Sequence, residues 1–276
     1  MDSLPVRRPI LRWAGSKRRL LPSLLACVPD TFATYVEPFA GAACLFFALR
    51  PQTAILGDIN TELIHFYTTV RRFPTEVSAR IAKMPETDGF YYRLRDRHKI
   101  VDPVDRAARF LYLNRNCFNG VYRTNRSGQF NVPVGTKVGK MPTSTEIATF
   151  ANALRGVRFV RGDFEASIFL AKRNDFVYID PPYTLAANRY RGEYGYNSFT
   201  DKDLSRFVES VQAASRRGAH VLVSYRYDKR LRKALKGWSL RRVSVRSHVS
   251  GFAASRVCTS ELLAANYPLP RMKAGT

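Results

Sequence analysis

The tetrapeptide Asp180-Pro181-Pro182-Tyr183 places an acid, two imino acids and a ring in four consecutive positions, directly after the apolar run Phe176-Val177-Tyr178-Ile179. The run has the length and composition of a buried strand. The prolines end it, because neither donates a backbone hydrogen bond to a sheet ladder. A carboxylate is therefore left at the C-terminal end of a strand, the edge at which open α/β sheets bind ligands. The ring of Tyr183, three residues on, is suited to stacking on a planar substrate. The same peptide also fits an ordinary turn with a surface acid, so the rest of the chain must decide.

Three further stretches repeat the arrangement of a strand ending in an acid. Tyr35-Val36 leads into Glu37-Pro38-Phe39-Ala40-Gly41-Ala42-Ala43-Cys44 and an apolar helix through Leu49. In that turn Gly41 allows a ligand to approach the backbone closely. Thr53 to Leu56 ends in Gly57-Asp58, and Val157 to Val160 ends in Gly162-Asp163-Phe164. One glycine in the first turn is not the G-x-G-x-x-G fingerprint, which argues against a pyrophosphate and so against NAD or FAD. Asp58, about twenty residues beyond Glu37, stands where an acid accepts bonds from ribose hydroxyls. A nucleoside cofactor without phosphates fits this pairing, and S-adenosylmethionine is the common one. A cap for the helix beginning at Thr61 is the other reading of Asp58. Ahead of these motifs, Arg12-Trp13-Ala14-Gly15-Ser16-Lys17 forms a small flexible turn before a helical pattern, with backbone N–H groups and Lys17 facing a ligand.

Strands alternating with helices must carry these motifs, which predicts an α/β fold with a mostly parallel, Rossmann-like sheet. The strands continue with Val221 to Ser224, after a helix from Thr200 to about Arg217. Leu240 to Val245 and Ser260 to Tyr267 read as an antiparallel pair around a polar loop, 248–256. Between residues 71 and 150 the character changes. Helical segments over 75–84, 90–99 and 103–114 precede a stretch rich in Asn, Arg, Gly and aromatics, with turn signals at Asn119-Gly120 and Ser127-Gly128 flanking a hairpin that includes Tyr122 and Phe130. Basic and amide groups interleaved with rings are what base readout and intercalation require. We therefore divide the chain into a catalytic domain, 1–70 and 151–276, and an inserted, mainly helical recognition domain, 71–150.

A formal charge of +23, from 45 Lys+Arg against 22 Asp+Glu, points to a polyanionic partner and favours nucleic acid. No apolar stretch reaches the roughly 18 residues of a membrane span, and Met1 to Arg12 lacks the apolar core of a signal peptide. Four scattered cysteines and four histidines without ligand spacing argue against disulfides and a metal. A cytoplasmic, reduced, monomeric protein without metal is expected.

Taken together, residues 10–267 resemble the Dam-type (D12 class) DNA adenine-N6 methyltransferases. RWAGSK at 12–17 is similar to the family's KWAGGK, EPFAGAAC at 37–44 to its EPFxGxG loop, and GDIN at 57–60, GDF at 162–164 and DPPY at 180–183 to its acidic cofactor and catalytic motifs. The segment from Tyr112 to Gly135 is similar to the family's recognition hairpin. Ser16, Ala42 and Ala43 depart from the commoner glycine or serine, and Ser224-Tyr225-Arg226 lacks the usual Ser-Asn pair.

The resemblance implies that S-adenosylmethionine is surrounded by Trp13, Lys17, Glu37, Phe39, Gly41, Asp58, Asp163 and Phe164, with Asp163 near its adenine. It implies that Asp180, Pro181, Pro182 and Tyr183 act on an adenine flipped out of double-stranded DNA. Arg115, Phe118, Asn119, Val121, Arg123, Asn125 and Pro133 are then DNA contacts, with Phe118 intercalating and Arg123 suited to guanine. GATC is the family's default site. An N4-cytosine methyltransferase shares the Asp-Pro-Pro-Tyr geometry, and a catalytically inactive DNA-binding relative would keep the charge and the hairpin, so both stay open at this level.

Overall fold

A computed structural model describes residues 9–136, 139–182, 199–246 and 258–270. Their centre is a seven-stranded sheet of β1 (Tyr35–Glu37), β2 (Ala54–Asp58), β3 (Val157–Arg161), β4 (Phe176–Ile179), β5 (His220–Arg226), β6 (Ser239–Arg246) and β7 (Cys258–Ala265). The order is β3-β2-β1-β4-β5-β7-β6. Neighbours from β3 to β5 pair in parallel, with Val36 of β1 opposite both Ile55 and Val177. β7 pairs antiparallel with β5 and with β6. Strands β1 and β4 are buried throughout, as apolar runs covered on both faces should be. From β1 the chain steps outward through β2 and β3, then returns to the other side of β1 as β4. That reversal makes a crevice between the C-terminal ends of β1 and β4, where Glu37 and Asp180 emerge.

The helices are α1 (Leu21–Leu25), α2 (Cys44–Leu49), α3 (Thr61–Arg72), α4 (Pro74–Ala82), α5 (Asp88–Asp96), α6 (Pro103–Asn116), α7 (Ser144–Ala153), α8 (Phe164–Phe169), α9 (Asp201–Arg216) and α10 (Lys229–Ala234). Local chemistry starts several of them. Thr143 with Glu146, and Thr200 with Asp203, form capping boxes at α7 and α9, satisfying amides that have no partner within the helix. Asp102 caps α6, whose first residue is Pro103. In α9, Leu204, Phe207, Val211 and Ala214 recur at helical spacing and are buried, which lays one stripe on the sheet.

Two apolar cores result, one on each face. The first joins β-strand residues to α1, α2 and α3 and extends without a break into Val77, Ile81, Phe110, Ile147 and Phe150 of α4, α6 and α7. Helices α4, α6 and α7 therefore pack on the same core as the sheet. The second core holds α8, α9 and α10 against the other face. A smaller cluster gathers Tyr91, Leu94, Tyr112, Leu113, Phe130 and Val132 under the hairpin.

In place of a regular ladder the hairpin has two isolated antiparallel bridges, Cys117 to Val134 at its base and Thr124 to Phe130 near its tip, the latter flanked by Asn125 N–H donating to the Gln129 carbonyl at 2.8 Å and Asn131 N–H to the Arg123 carbonyl at 3.2 Å. Its rings point inward. Phe130 is buried, and Tyr122 packs on Trp13, Phe110 and Phe130. Helices α8 and α10, six residues each, had no sequence signal, because six residues hold too little of a 3.6-residue period to register. The loop 248–256 expected between β6 and β7 lies outside the described residues. Among the described residues no helix is long and apolar enough to cross a membrane, and no group of His, Cys, Asp and Glu is placed to hold a metal ion.

Candidate active site

A cavity of about 530 Å³ opens at the crevice between β1 and β4, within the usual range for ligand pockets. Its wall is built from Trp13 to Lys17, Glu37 to Leu45, Asp58 to Asn60, Asp163 with Phe164, Asp180 to Pro182, and Phe199 with Thr200 and Asp203, joined by the rings of Tyr122 and Tyr178. Every cofactor residue expected from sequence lies on it, with Asp180, Pro181 and Pro182. Tyr183 lies outside the described residues.

The turn after β1 is fixed at Gly41 from two sides. Gly41 N–H donates to Asp58 Oδ2 at 3.0 Å, and Asn60 N–H donates to Oδ1 at 2.8 Å. The Tyr67 hydroxyl donates to the Gly41 carbonyl at 2.6 Å. Asp58 thus ties two strand ends together, and Asn60, not Asp58, caps α3 through bonds from the Glu62 and Leu63 amides. Burial pushes the Asp58 carboxyl up to about 6, opposed by the Asn60 and Gly41 amides.

Trp13 lies against this turn. A Cβ at position 41 would stand 2.9 Å from its Cδ1 and Nε1, and φ there is +47°. Gly41→Ala is therefore expected to cost about 1–2 kcal/mol from the left-handed conformation alone, with the contact to Trp13 in addition. A fall of several degrees in the thermal midpoint would show it; an unchanged midpoint would mean that Trp13 yields freely. Ala43 also adopts a left-handed conformation, φ 50° and ψ 44°, which disfavours a Cβ and accounts for glycine being commoner at this step of the motif.

Asp180 is held by two donors, one from the turn before α1 and one from β5. Lys17 Nζ lies 3.1 Å from Oδ1 and 3.4 Å from Glu261 Oε1 on β7. Ser224 Oγ on β5 donates to Oδ1 at 3.2 Å and shares a 2.9 Å hydrogen bond with the Tyr178 hydroxyl on β4. Burial raises the Asp180 carboxyl to about 6; Lys17 works against that rise and Glu261 adds to it. Nearby, Glu37 is buried and accepts from the Tyr35 hydroxyl at 2.9 Å. Burial raises its carboxyl well above the usual range, against the pull of the Tyr35 bond. Ser224, Tyr178 and Glu261 were not singled out by sequence as site residues.

Among the described residues, no thiol in the neighbourhood is prepared for covalent catalysis. Cys44 shares a 3.0 Å contact with Ser16 Oγ, and burial pushes it up to about 11. Cys117 is buried and likewise raised to about 11, far from the thiolate a nucleophile needs.

The opposite wall is aromatic. Phe39 stacks on Phe164 at 5.3 Å and 24°, and Phe199 meets both. Beside them Asp163 caps α8 by accepting from Glu165 N–H at 3.1 Å and pairs with Arg206 at 3.0 Å. A flat apolar surface next to hydrogen-bonding carboxylates suits a heteroaromatic base.

The expected DNA contacts fall into two groups. Phe118 and Asn119 are exposed together with Pro133, and Phe118 N–H donates to the Pro133 carbonyl at 2.9 Å, so the three form one outward patch; Val121 is half-buried beside them. The others have internal partners. Arg115 donates to the Ile10 carbonyl at 3.1 Å and to the Lys140 carbonyl, and Gly139 leaves room for its guanidinium. Arg123 Nε donates to Asn131 Oδ1 at 2.9 Å, and the Asn125 side chain accepts from Ser127 N–H and Gln129 N–H within the turn. Arg115 is thus a clasp between the N-terminal segment and the loop after α6, not an outward contact. The neighbouring buried Asn114, which sequence did not mark, accepts from Arg12 N–H at 2.9 Å and donates to its carbonyl at 2.6 Å.

Residues 13–249 match the family described as D12 class N6 adenine-specific DNA methyltransferase. Among individual proteins, the chain is 31% identical over 271 residues to the Type II methyltransferase M1.LlaDCHI of Lactococcus lactis subsp. cremoris, covering 94% of this chain and 95% of that one. It is 34% identical over 267 residues to the DNA adenine methylase of Escherichia coli (strain K12), covering 95% and 96%. It is 32% identical over 245 residues to the Type II methyltransferase M.MjaIII of Methanocaldococcus jannaschii, covering 80% and 85%.

Proposed function

The chain belongs to the D12 class of N6 adenine-specific DNA methyltransferases, and from that premise we propose that its cavity takes S-adenosylmethionine together with an adenine flipped out of double-stranded DNA. The cavity fits such a cofactor. Asp58, Asp163, Asp180 and Asp203 line it with Lys17 as the opposing cation, an excess of carboxylates that suits a ligand carrying ammonium and sulfonium charges, while Glu37, its carboxyl raised by burial, adds a hydrogen-bonding group. The single-glycine turn against Trp13 offers no pyrophosphate cradle. We assign Phe39, Phe164 and Asp163 to the cofactor's adenine, Asp58 to its ribose, and Trp13, Lys17, Glu37 and Gly41 to the remainder.

S-adenosylmethionine supplies a methyl group activated by a positively charged sulfur. The chain's own task is to make a poor nucleophile competent. The lone pair of an adenine amino group is delocalised into the ring, and acceptors for its two hydrogens localise that pair on nitrogen. The Asp180 carboxylate and the Pro181 carbonyl are our choice for those acceptors. Lys17 and Ser224 both engage Oδ1, and among the described residues no hydrogen-bond donor is found on Oδ2, the oxygen we assign to the amine. An amine that takes up a methyl group must lose a proton, and we assign Asp180 as the group that would accept it. This is catalysis by positioning and electrostatics.

The base must leave the helix to reach Asp180. We assign the outward patch of Phe118, Asn119 and Pro133, with Val121, to the duplex around it, Phe118 filling the gap, and we read residues 71–150 as the recognition unit. The observation that carries this reading is the ionisable Asp180 at the head of the crevice, held by Lys17 beside a ligand-sized cavity. Sequencing the modified bases in DNA from cells expressing the protein tests it and identifies the site. N6-methyladenine in one short motif, lost with Asp180→Asn, is expected. N4-methylcytosine, or no modified base, would overturn the assignment. GATC is the first motif to look for.

A further inference from the structure

We propose that the exposed face of α10 and the adjoining strand β6 is a second duplex-binding surface, which grips phosphates flanking the recognised site. The proposal rests on the DNA methyltransferase reading and extends its footprint.

Residues 226–246 hold nine Lys and Arg against one acid, Asp228. A formal +8 within 21 residues accounts for about a third of the chain's +23. The one acid is already engaged: Asp228 caps α10 through the Arg230 and Leu231 amides and pairs with Arg230. Arg226, Lys229, Arg232, Lys233, Lys236 and Arg242 are all exposed, and among the described residues Lys229, Lys233 and Lys236 have no ion-pair partner. Some arginines elsewhere are neutralised, Arg80 by Asp105, Arg106 by Glu62 and Arg206 by three carboxylates; what sets this face apart is the density of one sign along 21 residues. A face kept charged only for solubility mixes both signs; this one does not.

Two guanidinium groups on the face are held in place by one ring. Arg232 donates to the Tyr227 hydroxyl at 3.1 Å, and the Arg242 guanidinium lies 5.1 Å over the centre of the same ring.

Position selects the partner. α10 follows directly from the C-terminal end of β5, the same edge of the sheet as the cavity. Arg230 ties it at 2.9 Å to Asp201, the first residue of α9, and Thr200, one residue earlier, is in the cavity wall. Helices α4, α6 and α7 share the core on one face of the sheet, and Leu231 and Leu235 the core on the other. A duplex laid across the cavity mouth meets the recognition loops on one side and this basic face on the other. Phosphates outside a short recognised site are the polyanion that this placement presents to it.

The test compares full-length wild type with the triple variant Lys229→Gln, Lys233→Gln, Lys236→Gln, on duplexes of about 12 and about 40 base pairs centred on the methylated motif, with affinity measured against salt. For the wild type the longer duplex is expected to show a steeper dependence of log K on log salt than the shorter one. In the variant that difference collapses, with a slope shallower by up to roughly 2.7 because three phosphates go unneutralised, and the longer duplex binds at least about tenfold more weakly at low salt. Equal slopes for both proteins on the longer duplex, with tight wild-type binding and the same thermal midpoint, would overturn the surface while leaving the enzyme assignment intact. A wild type that binds neither duplex would overturn the DNA reading, and the surface with it.

Discussion

Asp180→Asn is expected to lower kcat by about 10²–10³-fold or more, while S-adenosylmethionine binds within about twofold of its wild-type affinity. Asparagine keeps the shape of the side chain but removes its charge and turns one acceptor into a donor, which opposes an amine that must itself donate. Cofactor titration beside single-turnover methyl transfer separates the two effects, and near-normal turnover would remove Asp180 from the chemistry. The pH profile carries a second signature. Burial sets the Asp180 carboxyl at about 6; above that it is an acceptor, and below it carries a proton and competes as a donor. Wild-type turnover should therefore be full above pH 6 and decline as pH falls through it. In the Asn variant the small residual rate should lose that limb.

The site was legible to the extent that its residues stand at the ends of parallel strands. A strand covered on both faces reads as a short apolar run, and a turn residue or proline closes it. The acid that follows is then visible from spacing alone, as with Glu37, Asp58, Asp163 and Asp180. The partners of Asp180 were not legible in this way, because they depend on strand order. Glu261 is 244 positions from Lys17 in the chain. It reaches the site only because β7 enters the sheet antiparallel between β5 and β6. Ser224 sits mid-strand, and the family resemblance touches it only through the missing Ser-Asn pair, which does not mark it as a partner of Asp180.

The recognition segment shows a different limit. Sequence sees rings and charges but not their direction, and only the family resemblance set Phe118 apart from Tyr122 and Phe130. Only Phe118 faces outward, at 47% exposure against 6% for Phe130, because the hairpin folds its other rings under itself. In the same way Arg115 was expected among the DNA contacts. Its fork in fact satisfies carbonyls from Ile10 and Lys140, groups that lie 105 and 25 positions away and leave no trace around it.

Lys17→Met should produce a loss whose dependence on pH separates its catalytic from its structural part. The ammonium lies between Asp180 and Glu261 and is 11% exposed. Without it two carboxylates share a partly dehydrated site, with Ser224 still bonded to Asp180. Lys17 lowers the Asp180 carboxyl and Glu261 raises it, so the variant's Asp180 moves further above 6. The acid limb of turnover should then shift upward by about one unit or more, giving a large deficit at neutral pH and partial recovery at about pH 8 to 9. Stability should run the other way. An acid whose folded value is raised is uncomfortable when ionised, so the destabilisation, about 3 kcal/mol for breaking such a pair, should be largest at high pH and shrink as protonation relieves it. A variant that lost turnover merely by unfolding would recover toward low pH. Turnover that recovers toward high pH, where the fold is weakest, would place Lys17 on the reaction itself, and adding Glu261→Gln should move the limb part of the way back. An acid limb that stays at the wild-type position in Lys17→Met would refute the coupling between Lys17 and Asp180.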